Sequence, residues 1–115
     1  MNVLIVEDDP ATGELIAATL RGFANRVEVA QTFSQAKEWI LKSVFNLVLL
    51  DLKLTDSTPA MSIDRIPELR QAGNKVVVLT GVDPEGLKDL SFASADGTFY
   101  KGQPDLKQKL RELCA

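Results

Sequence analysis

The chain has 115 residues, 45% of them hydrophobic, with a formal net charge of −3 and no histidine. That length suits one compact domain with a single core. The missing histidine excludes His-based acid–base catalysis, Ser–His nucleophiles and His metal ligands. The mild acidity, without any Lys/Arg block, argues against a nucleic-acid or anionic-membrane surface.

The first element is an apolar run, Val3–Val6, that stops against three carboxylates, Glu7, Asp8 and Asp9. Asp9-Pro10 reads as an N-cap with proline at the first helical position, and predicts a helix to about Arg21. Leu15, Ile16, Ala18 and Leu20 are its expected buried stripe, with Gly22 as a stop. A second strand follows at Val27–Ala30. Thr32-Phe33-Ser34-Gln35 resembles a capping box opening a helix through Trp39, Ile40 and Leu41. Trp39 is expected to pack on that helix's flank.

The run Leu47–Leu50 is the third strand and is followed by Asp51. Ser57-Thr58-Pro59 reads as a loop, and a third helix is expected over Met61 to Gln71, with Gly73 beyond its end. Val76–Leu79 is the fourth strand, followed by Thr80 and Gly81. Asp83-Pro84 starts a fourth helix marked by Leu87 and Leu90. Thr98–Tyr100 is the fifth strand, followed by Lys101. Pro104 starts a final helix with Leu106, Leu110 and Leu113 on one face.

Five β–α repeats imply a parallel sheet with helices on both faces and right-handed crossovers. Four of the five runs are nearly all apolar, as strands covered on both sides are. We expect residues 1–115 to be a single domain with no effector domain. No run is long enough to cross a membrane and no leader precedes the first strand. Cys114 is the only cysteine. It can form no internal disulfide, which suits a reducing, cytoplasmic compartment. At the chain's end it reads as an incidental thiol.

In an open parallel sheet the strand C-termini meet along one edge, where ligands bind. Glu7, Asp8, Asp51, Thr80 and Lys101 should therefore converge there. Asp9 reads as a cap instead. Thr80 alone would be a turn residue and Lys101 a solvated lysine; their common placement makes them a constellation. Clustered carboxylates repel by roughly 4 kcal/mol per contact pair in an intermediate dielectric. A hard cation such as Mg²⁺ relieves that repulsion while keeping several waters. Asp8 and Asp51 are the natural direct ligands, with Glu7 acting through water. A free carboxylate oxygen can then attack phosphorus. Lys101 can balance the phosphoryl oxygens and Thr80 can donate a hydrogen bond to them, with no side chain at Gly81 in the way.

This order and approximate spacing over the whole chain resembles the receiver domain of two-component response regulators. The resemblance implies a flavodoxin-like (βα)5 sandwich with strand order 2-1-3-4-5. It implies phosphorylation of Asp51 by a sensor histidine kinase or phosphotransfer protein. It also implies Mg²⁺ held by Asp8, Asp51 and the Lys53 backbone carbonyl, with no catalysis beyond self-directed phosphorylation and dephosphorylation. The output surface it implies is the fourth helix, fifth strand and fifth helix, presented to a downstream target protein.

Three positions depart from the family pattern. Thr98 stands where receivers usually carry an aromatic residue, three positions before the lysine. Gly102 replaces the proline that commonly follows the lysine, and Thr55 stands where a proline is frequent after the acceptor strand. Strand alternation puts Phe99 on the opposite face and leaves Tyr100 as the candidate substitute aromatic.

Other functions fit the residues less well. A nucleotide or flavin module would need a Gly-rich or Ser/Thr-rich phosphate loop after the first strand. Asp51-Leu-Lys-Leu-Thr55 is faintly similar to the D-x-D-x-T motif of aspartate-based phosphatases, but the second aspartate is missing. A receiver-like binding module that is not phosphorylated, and a receiver excised from a larger regulator or hybrid kinase, are the remaining alternatives.

Overall fold

The computed structural model describes residues 1–81 and 94–114. Five strands, β1 (Asn2–Val6), β2 (Arg26–Ala30), β3 (Leu47–Leu50), β4 (Lys75–Thr80) and β5 (Gly97–Tyr100), form one sheet in the order β2-β1-β3-β4-β5. Every neighbouring pair is parallel. The flavodoxin-like expectation holds, strand order included.

Period-two alternation divides the core into two layers. Leu4, Val6, Val48, Leu50, Val76 and Val78 face one side, where they pack with Phe33, Ala36, Phe45, Ile66 and Leu69. Val3, Ile5, Leu47, Leu49, Val77 and Leu79 face the other and pack with Ile16, Ala17, Leu20 and Leu110. Helix α1 (Pro10–Leu20) and the C-terminal helix α4 (Leu106–Leu113) cover the second side. Helices α2 (Phe33–Lys42) and α3 (Pro59–Asp64) and a 3-10 turn (Ile66–Leu69) lie over the first. The helix expected from Asp83 lies outside the described residues.

Four expectations are corrected. In α1 the buried face is Gly13, Ile16, Ala17 and Leu20, whereas Leu15 is 64% exposed and Ala18 is exposed too. The true stripe starts at a glycine, which hydrophobicity does not mark. A Cβ on Gly13 would lie 3.0 Å from Val29 Cγ1 and 3.7 Å from Glu7 Cβ, so glycine lets α1 sit close on the sheet. The third helix does not run to Gln71; it stops at Asp64 and continues as the 3-10 turn. Pro67 has no N–H to extend the α-helical ladder, and its ring crowds the preceding turn.

Ser57-Thr58-Pro59 is not a loose loop. Thr58 Oγ1 accepts from Met61 N at 3.2 Å and caps α3, with Pro59 at its first position. The last helix begins at Leu106, two residues beyond Pro104. Helix α2 matches its predicted start, with Thr32 Oγ1 accepting from Gln35 N at 3.1 Å. The reciprocal bond runs to Gln31 N, at 2.8 Å, one residue before the N-cap. Trp39 is half-buried on the α2 flank, edge-on to Phe45.

Candidate functional site at the C-terminal edge of the sheet

Backbone hydrogen bonds carry the ladder one step past the strand ends and fix where the side chains emerge. Glu7 N donates to Ala30 O at 2.9 Å, Asp51 N to Val6 O at 2.9 Å, and Lys101 N to Thr80 O at 2.7 Å. The three chain segments are thereby locked side by side. An open cleft of about 490 Å³ is lined by Glu7, Asp8, Asp9, Thr12, Asp51, Lys53, Thr80, Gly81 and Lys101. All the candidate site residues meet there.

Glu7 and Asp51 are buried, at 3% and 6% exposure, and Asp8 is half-buried. One carboxylate oxygen from each of the three lies within 4.8 Å of the others. Lys101 Nζ reaches Glu7 Oε2 at 2.5 Å and Asp51 Oδ2 at 3.5 Å. Lys101 thus pairs with two of the acids, and the four carboxylates against two lysines among the described lining residues leave an excess of negative charge. Burial pushes the Asp51 carboxyl up to about 6; Lys101 opposes this, and Glu7 reinforces it. Lys53 N approaches Asp51 Oδ1 at 3.5 Å, and Thr80 is buried at the cleft wall.

Asp9 stands apart from the acid cluster. Its carboxylate accepts from Thr12 Oγ1 at 2.5 Å, and this bond foremost holds its carboxyl below the usual range. Asp9 occupies the N-cap position of α1 with Pro10 at the first helical position, as expected, but its side chain makes no cap hydrogen bond to the backbone. Among the described residues, a Cβ on Gly81 would meet Lys101 Cδ, at 3.7 Å, which is ordinary contact.

The departure at position 102 is tied to Tyr100. Thr98 is exposed, and Phe99 packs into the α1-side core. The Tyr100 ring lies on Gly102, where a Cβ would come within 2.7 Å of Cζ and 2.8 Å of Oη. A proline at 102 would collide with the ring in this position. Sequence reasoning missed this pairing, and it also missed Asp56, whose carboxylate accepts from Phe33 N at 2.9 Å and Ser34 N at 3.1 Å.

A model of the response regulator receiver domain matches residues 3–111. The chain belongs to the response regulator receiver family. The histidine-protein kinase BarA of Escherichia coli K12 is 28% identical over 114 residues, 98% of this chain and 12% of that kinase. The chain thus spans about an eighth of the length of that relative. The BeF3-activated receiver domain of RstA from Klebsiella pneumoniae is 30% identical, with a TM-score of 0.81 over 99% of this chain and 98% of that one. The response regulator TrrA of Thermotoga maritima, solved in complex with Mg²⁺–BeF, shares the fold at 24% identity, with a TM-score of 0.79 over 97% of each chain. Among the described residues no helix is long and apolar enough to cross a membrane.

Proposed function

We propose that residues 1–115 are a single receiver domain that accepts a phosphoryl group on Asp51 from a histidine kinase or phosphotransfer protein. The observation that carries this is the meeting of Glu7, Asp8, Asp51 and Lys101 in one cleft, with the acids within 4.8 Å of one another. An all-oxygen donor set with excess negative charge fits Mg²⁺. Asp8, Asp51 and the Lys53 carbonyl would hold it, and Glu7, whose Oε2 is engaged by Lys101, would act through water. When bound, the ion supplies neutralisation of phosphoryl charge.

The chain's own residues do the rest. A carboxylate oxygen of Asp51 attacks phosphorus, and the P–N bond to the donor's imidazole breaks, leaving an acyl phosphate on Asp51. Lys101 moves its charge onto the phosphoryl oxygens, and the Thr80 hydroxyl donates to one of them. Water later attacks the phosphorus, releasing phosphate and restoring the carboxylate. The added charge reorganises the loops that carry Thr80 and Lys101. The responding surface is β5 and the C-terminal helix α4, where a downstream protein gains or loses its hold. No turnover of an external substrate is required, and a reducing cytoplasm suits the lone Cys114.

Thr98 favours a second reading, a binding module of the same fold that is never phosphorylated. Incubation with a small phosphodonor and Mg²⁺, read by intact mass, separates the two. The wild type should gain one phosphoryl group and Asp51→Asn none. Absence of any gain in the wild type would favour the binding module.

A further inference from the structure

The segment after Asp51 is unusually well tied down. Leu52 and Leu54 are buried on either side of exposed Lys53. Ser62 Oγ donates to Leu52 O at 2.9 Å. Leu54 N donates to Ser57 O at 3.1 Å and Ser57 N to Leu54 O at 3.4 Å, closing a tight turn with Thr55 and Asp56 at its tip. From that tip both carboxylate oxygens of Asp56 reach across to α2 and accept from Phe33 N and Ser34 N. These are two of the donors that a helix start leaves without intrahelical partners, and a negative charge is favoured there.

The start of α2 is a rigid post. Phe33 is fully buried, and the Arg65 guanidinium lies 3.7 Å over its ring. Glu68 ties Arg65 at 3.1 Å and Lys37 of α2 at 2.8 Å. Burial opposes ionisation of Asp56, but the Phe33 and Ser34 N–H groups outweigh it and hold the carboxyl below its usual value. Thr55 lacks the fixed φ that the family's frequent proline brings at this point. The Asp56 clamp restrains the same loop by a different route.

We propose that Asp56 is a positioning residue for the Mg²⁺ site: by anchoring the 51–57 loop to the start of α2, it holds the Lys53 backbone carbonyl where the ion needs it. The proposal rests on the Mg²⁺ reading given above. Asp56 itself touches neither the acid cluster nor the reacting group.

The test is the rise in Tm with Mg²⁺ concentration, which yields an apparent Kd through linkage. Asp56→Ala should weaken that Kd about tenfold, the scale typical of lost outer-shell support. Thr32→Ala is the control, because it removes a cap from the same helix end without touching the loop. It should lower Tm in the metal-free protein and leave the Mg²⁺ Kd unchanged. Should Asp56→Ala fail to fold, Asp56→Asn keeps one acceptor oxygen and should still bind Mg²⁺ a few-fold more weakly. Wild-type affinity in the folded Asp56 variant, or equal weakening in Thr32→Ala, would overturn the proposal. A wild type whose Tm ignores Mg²⁺, as Asp8→Asn should, would remove the Mg²⁺ reading itself and the proposal with it.

Discussion

Asp51 is ionised at neutral pH against its surroundings. Its carboxyl titrates at about 6 rather than 3.8 because burial disfavours the charge more than Lys101 favours it. A carboxyl with a raised folded value binds its proton more tightly in the native state than in the unfolded chain. Its contribution to stability therefore falls as pH rises from about 4 to about 6, and levels off above that. Asp51→Asn removes the charge. In the metal-free protein it should be neutral at pH 4 and stabilising by up to about 3 kcal/mol at pH 7, since each tenfold difference in proton affinity is worth about 1.4 kcal/mol. Urea midpoints of the two proteins across that range, in chelator, would check it; a difference that shrinks with rising pH would be the wrong sign. Tyr100 offers a second residue-scale test, since it is the sole tyrosine. Gly102→Ala places a methyl group where its ring lies. The ring should swing out, and Tyr100 should be nitrated faster than in the wild type. An unchanged rate would mean that the ring does not rest on position 102.

At the scale of elements, the strands were readable because burial on both faces leaves nearly continuous apolar runs. The helices were less so. Leu15 is apolar yet exposed, and Gly13 is buried without being hydrophobic, so the α1 stripe was shifted. The apolar pattern of the third helix runs on through Pro67, but proline breaks such a ladder on its own. No strong apolar pattern follows the capping threonine at 58, so sequence alone marks that stretch as loop. Its role gives an element-scale expectation: Thr58→Ala should lower unfolding stability by about 1 kcal/mol, the usual worth of a helix N-cap. Equilibrium urea unfolding would measure it, and an unchanged midpoint would show that the Met61 N–H finds another acceptor. Helix α2 is held at both ends by the β3-to-β4 crossover. Asp56 engages its start, and Gln71 Nε2 donates to Ile40 O at 2.9 Å and Ser43 O at 2.8 Å at its end. Such ties leave no mark in sequence, because the acceptors and donors on α2 are backbone groups that every residue carries.

For the whole molecule, topology does what local pattern cannot. Glu7 and Lys101 are 94 residues apart yet form an ion pair, because strand order brings β1 and β5 to one edge on either side of β3 and β4. The placement of the acids was legible from strand ends alone. The direct Glu7–Lys101 pairing was not, since side-chain partners depend on rotamers within the cleft. Function turns on whether this cleft makes Asp51 the phosphoryl acceptor. Borohydride reduction of the protein after treatment with phosphodonor and Mg²⁺ tests that most directly, because hydride converts an aspartyl phosphate to homoserine at the modified position. Peptide mass mapping should find homoserine at position 51 and at no other aspartate; homoserine at position 8 or 9, or none anywhere, would contradict Asp51 as the acceptor.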